Sequence, residues 1–340
     1  MIELGLDTFG DITDGPDLRP LHAAEVIRNI VKEAVLADQV GVDFIGIGEH
    51  HRGDFAVSVP ELILATIAGR TTRIRLGSAV TVLSSDDPIR VFQRFSTLDA
   101  LSNGRAEVIL GRGSFTESFP LFGFDLDKYE ELFDEKLDLY AAVLSERPVT
   151  WQGETRSPLS NQEIHPKTQS GRLMTWIGVG GSPQSVLRAA HYGLPLMLAI
   201  IGGDPKRFIP FIDLYRRALS ETGKPALPIG VHSHGYVAGT DQQARDDLYS
   251  DYKRMRDRIG AERGWPPLSV RDFEHEIAHG SLYVGSPETV ARKIANTVKA
   301  LGLSRFDMKY SAGPLSHEKM KQCIELYGRR VMPLVRDMVA

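Results

Sequence analysis

Residues 43–113 read DFIGIGEHHRGDFAVSVPELILATIAGRTTRIRLGSAVTVLSSDDPIRVFQRFSTLDALSNGRAEVILGRG, and they alternate between short apolar segments and longer amphipathic ones. In chain order, the pieces are strand-like 43–51, helical 58–71, strand-like 73–83, helical 88–102 and strand-like 105–113. Short apolar segments of this kind are typical of buried strands, and Pro88 suits a first helical turn. The alternation indicates repeated βα units and a parallel sheet.

The same alternation continues on both sides of this stretch. The other strand-like segments are 2–9, 174–181, 195–201, 228–239 and 305–310; the other helical ones are 22–40, 128–146, 183–192, 205–222, 241–260, 287–301 and 316–338. Eight strands suit a closed barrel, in which functional side chains lie at the C-terminal strand ends. An open doubly wound sheet is the alternative, but no G-x-G-x-x-G turn follows strand one.

The sequence therefore predicts an α/β fold, a single (β/α)₈ TIM barrel domain spanning 1–340, with two insertions. One follows strand four, where residues 147–173 fit no βα unit and are interpreted as an excursion over the barrel mouth. The other is an irregular stretch of about 261–285 before the last βα unit.

Composition and charge narrow the function classes. The formal net charge of −4 provides no basic field for nucleic acid or anionic lipid, so neither is expected as a partner. The first residues carry acidic groups where a signal peptide needs a basic and then an apolar stretch, so a cytoplasmic protein is expected. Cys323 is the only cysteine, and its amphipathic surroundings indicate packing.

Two adjacent histidines end strand two. Glu49-His50-His51 closes the segment, and neighbouring side chains on a strand point to opposite faces, so one histidine is expected to face the interior. A histidine at the barrel mouth can give or take a proton near neutral pH. The alternative is that both are ordinary packed residues.

The turn after strand five indicates an anion site. GVGGSPQS (178–185) places Gly180 and Gly181 before a helix with Ser182 at the N-cap position. Backbone N–H groups, the positive end of the helix dipole and the hydroxyls of Ser182 and Ser185 can together hold a phosphate. The same glycines could instead serve only as a tight turn.

Arg112 is a second candidate for anion binding. It lies between Gly111 and Gly113 just beyond strand four, where small neighbours leave the guanidinium free to reach a phosphate or carboxylate. Alternatively, it is an exposed arginine paired with Glu107 or Glu117.

Two patterns resemble metal sites. His232 and His234 are two residues apart on strand seven and so share a face. HEIAH (275–279) matches H-E-x-x-H, but no long amphipathic helix carries it, Gly280 follows at once and Leu282 stands where the metzincin pattern needs glycine. No metal site is predicted from either.

At this point the chain resembles the bacterial luciferase-like monooxygenase family along nearly its whole length. The segments that carry the resemblance are EHHRGDF (49–55), RLGSAVTVLSSDDPIRVFQRFSTLDALSNGRAEVILGRGSFTESFPLFG (75–123), GVGGSPQSVLRAAHYGLPLMLA (178–199) and VGSPETVARKI (284–294). The resemblance implies a barrel with FMN across its mouth, reduced by a separate reductase or by NAD(P)H. O₂ would then give a C4a-(hydro)peroxyflavin that attacks a small organic substrate, and a homodimer is expected by analogy.

The resemblance also assigns roles to residues. It implies that His50 lies near the reactive edge of the flavin as an acid/base, and that a non-prolyl cis peptide joins Ala79 and Val80 beneath the ring. The phosphate site maps to Arg112 and to the turn residues Gly180, Gly181, Ser182 and Ser185. Gly181 departs from the family, which often has a larger polar residue there. An apolar substrate pocket above the flavin is expected from five aromatic residues, Phe9, Phe115, Phe119, Phe122 and Trp151; the alternative is that they serve only in packing.

Three other functions stay open at this stage. Within the family, the same barrel could bind the deazaflavin F420 and act as a dehydrogenase. A metal-dependent hydrolase on a barrel would use Glu49, His50, His232 and His234 as ligands. A flavin-binding protein without turnover is the third.

Overall fold

The computed structural model describes residues 1–340, and its centre is a closed barrel of eight parallel strands. The barrel strands are, in order, Glu3–Thr8, Phe44–Ile47, Arg75–Ser78, Ala106–Gly111, Met174–Val179, Leu196–Ala199, Ile229–Val237 and Arg305–Lys309. Each pairs with the next in parallel, and the eighth returns to the first with Glu3 opposite Arg305. The predicted TIM barrel is confirmed.

Helices cover the outside of the barrel. They are α1 (Ala23–Gln39), α2 (Pro60–Ala68), α3 (Pro88–Ser102), α4 (Ser118–Phe122), α5 (Tyr129–Val143), α6 (Pro183–Tyr192), α7 (Ile209–Glu221), α8 (Asp241–Arg263), α9 (Val270–Ala278), α10 (Pro287–Leu301), α11 (His317–Leu326) and α12 (Met332–Val339). Local sequence sets several ends: the Asp87 carboxylate accepts from Ile89 N and Arg90 N where α3 begins, and Gly193 ends α6 in the left-handed conformation. No helix is long and apolar enough to cross a membrane.

The lower half of the barrel interior is filled by a charged and aromatic layer. Arg305 is fully buried, donates to Glu107 (Nη1–Oε2 2.7 Å) and Asp307 (Nε–Oδ1 2.9 Å), and its guanidinium lies 3.5 Å from the ring centre of Phe44. Trp176 Nε1 donates to the same Glu107 carboxylate at 2.9 Å. Glu107 pairs with Arg75 as well, while Arg305 Nη2 has no hydrogen-bond partner. These ion pairs hold together a layer that forms the floor below the upper cavity.

The third strand is shorter than the predicted 73–83. It ends at Ser78, and a separate two-residue strand, Thr81–Val82, pairs with the fourth barrel strand. Side chains replace strand pairing at this break: Glu49 Oε2 accepts from Val82 N at 2.9 Å, and Thr81 donates to Ser78 Oγ.

The excursion at 147–173 does not lie over the barrel mouth, contrary to the expectation. It forms an antiparallel hairpin, Val149–Trp151 with Leu159–Gln162, on the outer helical layer. Trp151 Nε1 donates to Asp138 on α5, and Ser170 N donates to Asp99 on α3. These contacts attach the insertion to the side of the barrel.

The stretch 261–285 is more regular than predicted. It contains α9 and a short strand, Tyr283–Gly285, that adds to the seventh barrel strand. A capping box begins α9, since Ser269 Oγ accepts from Asp272 N and Asp272 accepts from Ser269 N. This S-x-x-D pattern was the available signal for the helix.

Candidate functional site

A cavity of about 1120 Å³ opens at the C-terminal ends of the barrel strands. All the residues predicted for the site line it: His50, Ala79, Val80, Arg112, Gly180, Gly181, Ser182 and Ser185. The barrel brings them together because the carboxyl ends of parallel strands meet at one face. These residues therefore share one cavity.

His50 sits in an aromatic pocket at the end of the second strand. Its ring stacks on Phe55 at 4.2 Å between centres and lies 4.7 Å from Phe9. Burial lowers the pKa of His50 to about 3, and its Nδ1 has no hydrogen-bond partner in the protein. The imidazole is thus neutral at physiological pH, with a free ring nitrogen that can accept a proton or a hydrogen bond.

His51 also lines the cavity but has a different role in the fold. Its Nε2 donates to Glu49 Oε1 at 2.9 Å, and the other carboxylate oxygen of Glu49 holds Val82 N. His51 is therefore tied into the support of the loop after the third strand, whereas His50 is free of such contacts.

The Ala79–Val80 segment forms one wall of the cavity. Its peptide bond is cis, the conformation that the family resemblance implied at this position. Two glycines leave room for it: a Cβ at Gly48 would lie 3.0 Å from Ala79 O, and one at Gly111 would lie 2.6 Å from Val80 Cγ2. These glycines therefore let the Ala79–Val80 segment pack closely against the ends of the second and fourth strands.

The start of α6 provides the anion corner, formed by Gly180, Gly181, Ser182 and Ser185. Ser182 Oγ accepts from Ser185 N at 3.4 Å, as predicted for an N-cap. A Cβ added at Gly180 or Gly181 would meet nothing within 4 Å, so open space lies beside this turn. Gly181 has φ +122°, a conformation that side chains rarely adopt.

Arg112 lies beside this corner but pairs with a residue that was not predicted. Neither Glu107 nor Glu117 is its partner; its guanidinium is paired with the exposed Glu130 of α5. Arg188 contacts the other oxygen of Glu130 at 3.5 Å and reaches Ser185 Oγ at 3.4 Å. Glu130 thus bridges two arginines next to the anion corner.

The opposite wall carries polar pairs that sequence analysis missed. Asp7 pairs with His232 (Oδ2–Nδ1 2.6 Å), and Lys309 donates to Asp11 at 2.9 Å. Burial alone would raise the pKa of Asp11, but Lys309 and hydrogen bonds from Ser311 and Gly313 N hold it below its ordinary value. The positions of Asp7, Asp11 and Lys309 at strand ends were the available signal.

His234 lies on the same wall, two residues beyond His232. Its ring is buried, which lowers its pKa well below the ordinary value, and its Nδ1 has no partner in the protein. The seventh strand therefore turns both histidines towards the cavity, as the period-two spacing predicted.

The aromatic lining differs from the prediction. Phe9 and Phe115 line the cavity, and so does Phe55, which was missed. Phe119, Phe122 and Trp151 were wrong: Phe119 is buried outside the cavity, Phe122 is 51% exposed, and Trp151 binds Asp138 on the outer layer.

Neither metal-like pattern forms a ligand cluster. No group of three or more His, Cys, Asp or Glu side chains is arranged to hold a metal ion. His275 lies in the nine-residue α9, with His279 as its C-cap. Between them, Glu276 accepts from Gly203 N (3.0 Å) and Ser281 N (3.3 Å), so its carboxylate fixes backbone.

Comparison with known sequences identifies the family. The profile of the luciferase-like monooxygenases matches residues 11–305. The 4-hydroxyprotoasukamycin monooxygenase of Streptomyces nodosus subsp. asukaensis is 28% identical and aligns over 95% of this chain and 92% of its own. The alkanal monooxygenase alpha chain of the Kryptophanaron alfredi symbiont is 26% identical over 93% of this chain and 95% of its own.

Solved structures share the fold. Monooxygenase RslO1 from Streptomyces bottropensis superimposes with a TM-score of 0.86 at 23% identity, covering 98% of this chain and 99% of its own. The oxygenating constituent of 3,6-diketocamphane monooxygenase from Pseudomonas putida, in complex with FMN, gives a TM-score of 0.81 at 18% identity. The match covers 98% of this chain and 99% of its own. An F420-dependent secondary alcohol dehydrogenase gives 0.74 at 17% identity over 99% of both chains. With the family profile matching most of its length, this chain belongs to the luciferase-like monooxygenases.

Proposed function

We propose that this protein is a flavin-dependent monooxygenase that uses reduced FMN and O₂ to oxygenate a small organic molecule. The observation that carries the proposal is that His50, the Ala79–Val80 wall and the anion corner line one cavity. A flavin needs these three elements together: a phosphate site, a surface for the ring and a group beside its reactive edge.

The residues present fit a flavin phosphate. Gly180 and Gly181 leave open space in front of the N-terminus of α6, where backbone N–H groups and the helix dipole favour an anion. Ser182 and Ser185 supply hydroxyls, and Arg112 supplies a planar guanidinium suited to two phosphate oxygens.

The remaining walls fit the ring and a substrate. Reduced FMN would supply the electrons that activate O₂. The Ala79–Val80 wall would support the ring, while Phe9, Phe55 and Phe115 would exclude water from the reacting atoms. The neutral imidazole of His50 would hold or move a proton at Nδ1, the atom that has no partner within the protein.

The setting of this function is also a proposal. We expect one barrel domain over residues 1–340 that works in the cytoplasm as a homodimer. Its reduced flavin would come from a separate NAD(P)H:flavin reductase or from reaction with NAD(P)H. Light scattering after gel filtration measures the oligomeric state, and a monomer would contradict the expectation.

The binding test is an absorbance titration of the protein with FMN and with riboflavin, which lacks the phosphate. Arg112→Ala should weaken FMN binding by about 1.5–3 kcal/mol, roughly 10- to 150-fold, because one charge-assisted phosphate bond is lost. Riboflavin binding should not change. Lys128→Ala removes a nearby cation outside the cavity and is the matched control.

Equal FMN affinity in wild type and Arg112→Ala, or an equal loss for riboflavin, would contradict the phosphate assignment. The oxygenase assignment is tested with reduced FMN, isotope-labelled O₂ and a panel of aldehydes, ketones, phenols and thioethers. The expected result is a product that contains the isotope label from O₂, in an amount that His50→Asn lowers strongly. No labelled product anywhere in the panel would favour a binding protein without turnover.

A deazaflavin dehydrogenase is the second candidate, because a solved neighbour of the same fold binds an F420–acetone adduct. The same titration repeated with F420 separates the two. Tighter binding of F420 than of FMN, with hydride transfer to the deazaflavin from an alcohol, would replace the first proposal.

A further inference from the structure

We propose that the end of the cavity under the C-terminus of α8 binds the anionic group of an organic substrate, a carboxylate or sulfonate on an apolar body. This arginine end is formed by Arg256, Arg263 and Trp265, and Arg207 lines the same cavity. The inference rests on the proposed function only in naming the ligand a substrate, since its binding can be measured without turnover.

Arg256 is the central residue of the arginine end. None of its nitrogen atoms has a hydrogen-bond or ion-pair partner in the protein, and its Nη1 is buried. The guanidinium lies 4.4 Å from the ring centre of Trp265, which holds its plane in one orientation. A buried N–H group without a partner is costly, and an anionic ligand that accepts from it would remove that cost.

Two further arginines face the same space without carboxylate partners. Arg263 lies 5.3 Å from the ring centre of Trp265, and its only hydrogen bond goes to Ser114 O at 3.1 Å. Arg207 lines the same cavity and makes no ion pair. By contrast, Arg258 and Arg254 of α8 pair with Asp54 and Asp14.

The acidic residues at this end are already engaged. Asp272 accepts from Ser269 Oγ at 2.6 Å in the capping box of α9. Glu276 holds Gly203 N and Ser281 N, as described above. Asp257 and Glu262 of α8 form their ion pairs with Lys253 and Arg52. Because no carboxylate pairs with Arg256 or Arg263, the local field at the arginine end is positive.

The surrounding surface is apolar, which defines the rest of the ligand. Met255, Ile259 and Leu268 line the same end beside the indole of Trp265. A guanidinium among apolar side chains selects a molecule that carries a negative head on a hydrophobic body. The anion corner at α6 lies on other elements, so a flavin phosphate and a substrate anion would not compete.

The test is isothermal titration of the FMN-saturated protein with two matched probe pairs: hexanoate with hexanamide, and phenylacetate with phenylacetamide. The wild type should bind each carboxylate at least about tenfold more tightly than its amide. R256Q should lose that preference while its amide affinity stays the same. R254Q, on the outer side of the same helix, should behave like the wild type.

R263Q, at an exposed position beside the ring of Trp265, is a second variant whose result does not depend on the folding of R256Q. It should reduce the preference for carboxylate over amide several-fold. The proposal is overturned if neither carboxylate binds more tightly than its amide, or if R254Q loses as much of the preference for carboxylate over amide as R256Q does. Competition between the carboxylates and FMN would also overturn it, because the anion site would then belong to the cofactor. Failure of FMN to bind at all is a separate result that contradicts the proposed function, and the carboxylate titration without FMN then still tests the arginine end.

Discussion

Protonation of His50 should couple the stability of the fold to pH. Burial lowers its pKa in the folded protein to about 3, against an ordinary value of 6.5 in the unfolded chain. Because the folded pKa is the lower one, the unfolded chain binds the proton first as pH falls. Stability is therefore full above pH 6.5 and decreases as pH falls from there towards 3.

The size of this effect follows from the two pKa values. Each pKa unit corresponds to about 1.4 kcal/mol, so lowering the pH from about 7.5 to about 5 should remove about 2 kcal/mol of stability through His50 alone. His50→Gln removes the titrating group, and it should lose about 2 kcal/mol less than the wild type over the same interval.

The assay is equilibrium urea unfolding of flavin-free protein at both pH values, for wild type, His50→Gln and His191→Gln. His191 is an exposed residue of α6, so its replacement should leave the pH dependence unchanged. Comparing differences between pH values cancels any pH-independent cost of each substitution and the titration of all other groups. If wild type and His50→Gln lost the same free energy of unfolding between the two pH values, the conclusion that the folded protein holds His50 in the neutral form would be refuted.

Two further substitutions test the surroundings of the site. Glu130→Gln should tighten FMN binding two- to fivefold, about 0.5–1 kcal/mol, because a carboxylate that competes with phosphate for Arg112 is lost. Glu131→Gln is the matched control in the absorbance titration. Unchanged FMN affinity in Glu130→Gln would contradict this reasoning. Arg305→Met should lower the urea-derived free energy of unfolding by about 3–5 kcal/mol, because it leaves the buried carboxylate of Asp307 without its cation and removes one of the two cations that pair with Glu107. Arg330→Met breaks an exposed ion pair with Glu288, and it should lower the free energy of unfolding by less than about 1 kcal/mol. If the two variants lost similar amounts of stability, the conclusion that the buried layer stabilises the barrel would be contradicted.

The barrel could be predicted from sequence because its signals are local. Strand-like and helical segments alternate with the expected lengths, and caps such as Asp87 and Ser182 mark helix starts. The insertion at 147–173 could not be placed, because its position depends on contacts with distant residues such as Asp138 and Asp99. Loop positions are set by tertiary packing, to which composition gives no guide.

The candidate site, too, was predictable from sequence only where local position determines it. His50 and Ser182 were found because chemistry at the ends of barrel strands follows from the fold itself. The partner of Arg112 was not found, since Glu130 lies on a different element and only the folded chain brings the two together. The arginine end was missed for the same reason, because the contact between Arg256 and Trp265 forms only in the folded chain. In sequence, α8 resembles any charged surface helix.

The layer of Arg305, Glu107 and Trp176 also bears on the order of events during turnover. Because it fills the barrel from below, the cavity is reached from the C-terminal ends of the strands. A flavin seated between the anion corner and His50 would cover the deepest part of the chamber. A substrate arriving second would then meet only the arginine end, and product would leave before flavin. Because the arginine end can bind an anion whether or not flavin is present, steady-state kinetics should show a preferred order of binding, with flavin first in and last out, and not a compulsory one.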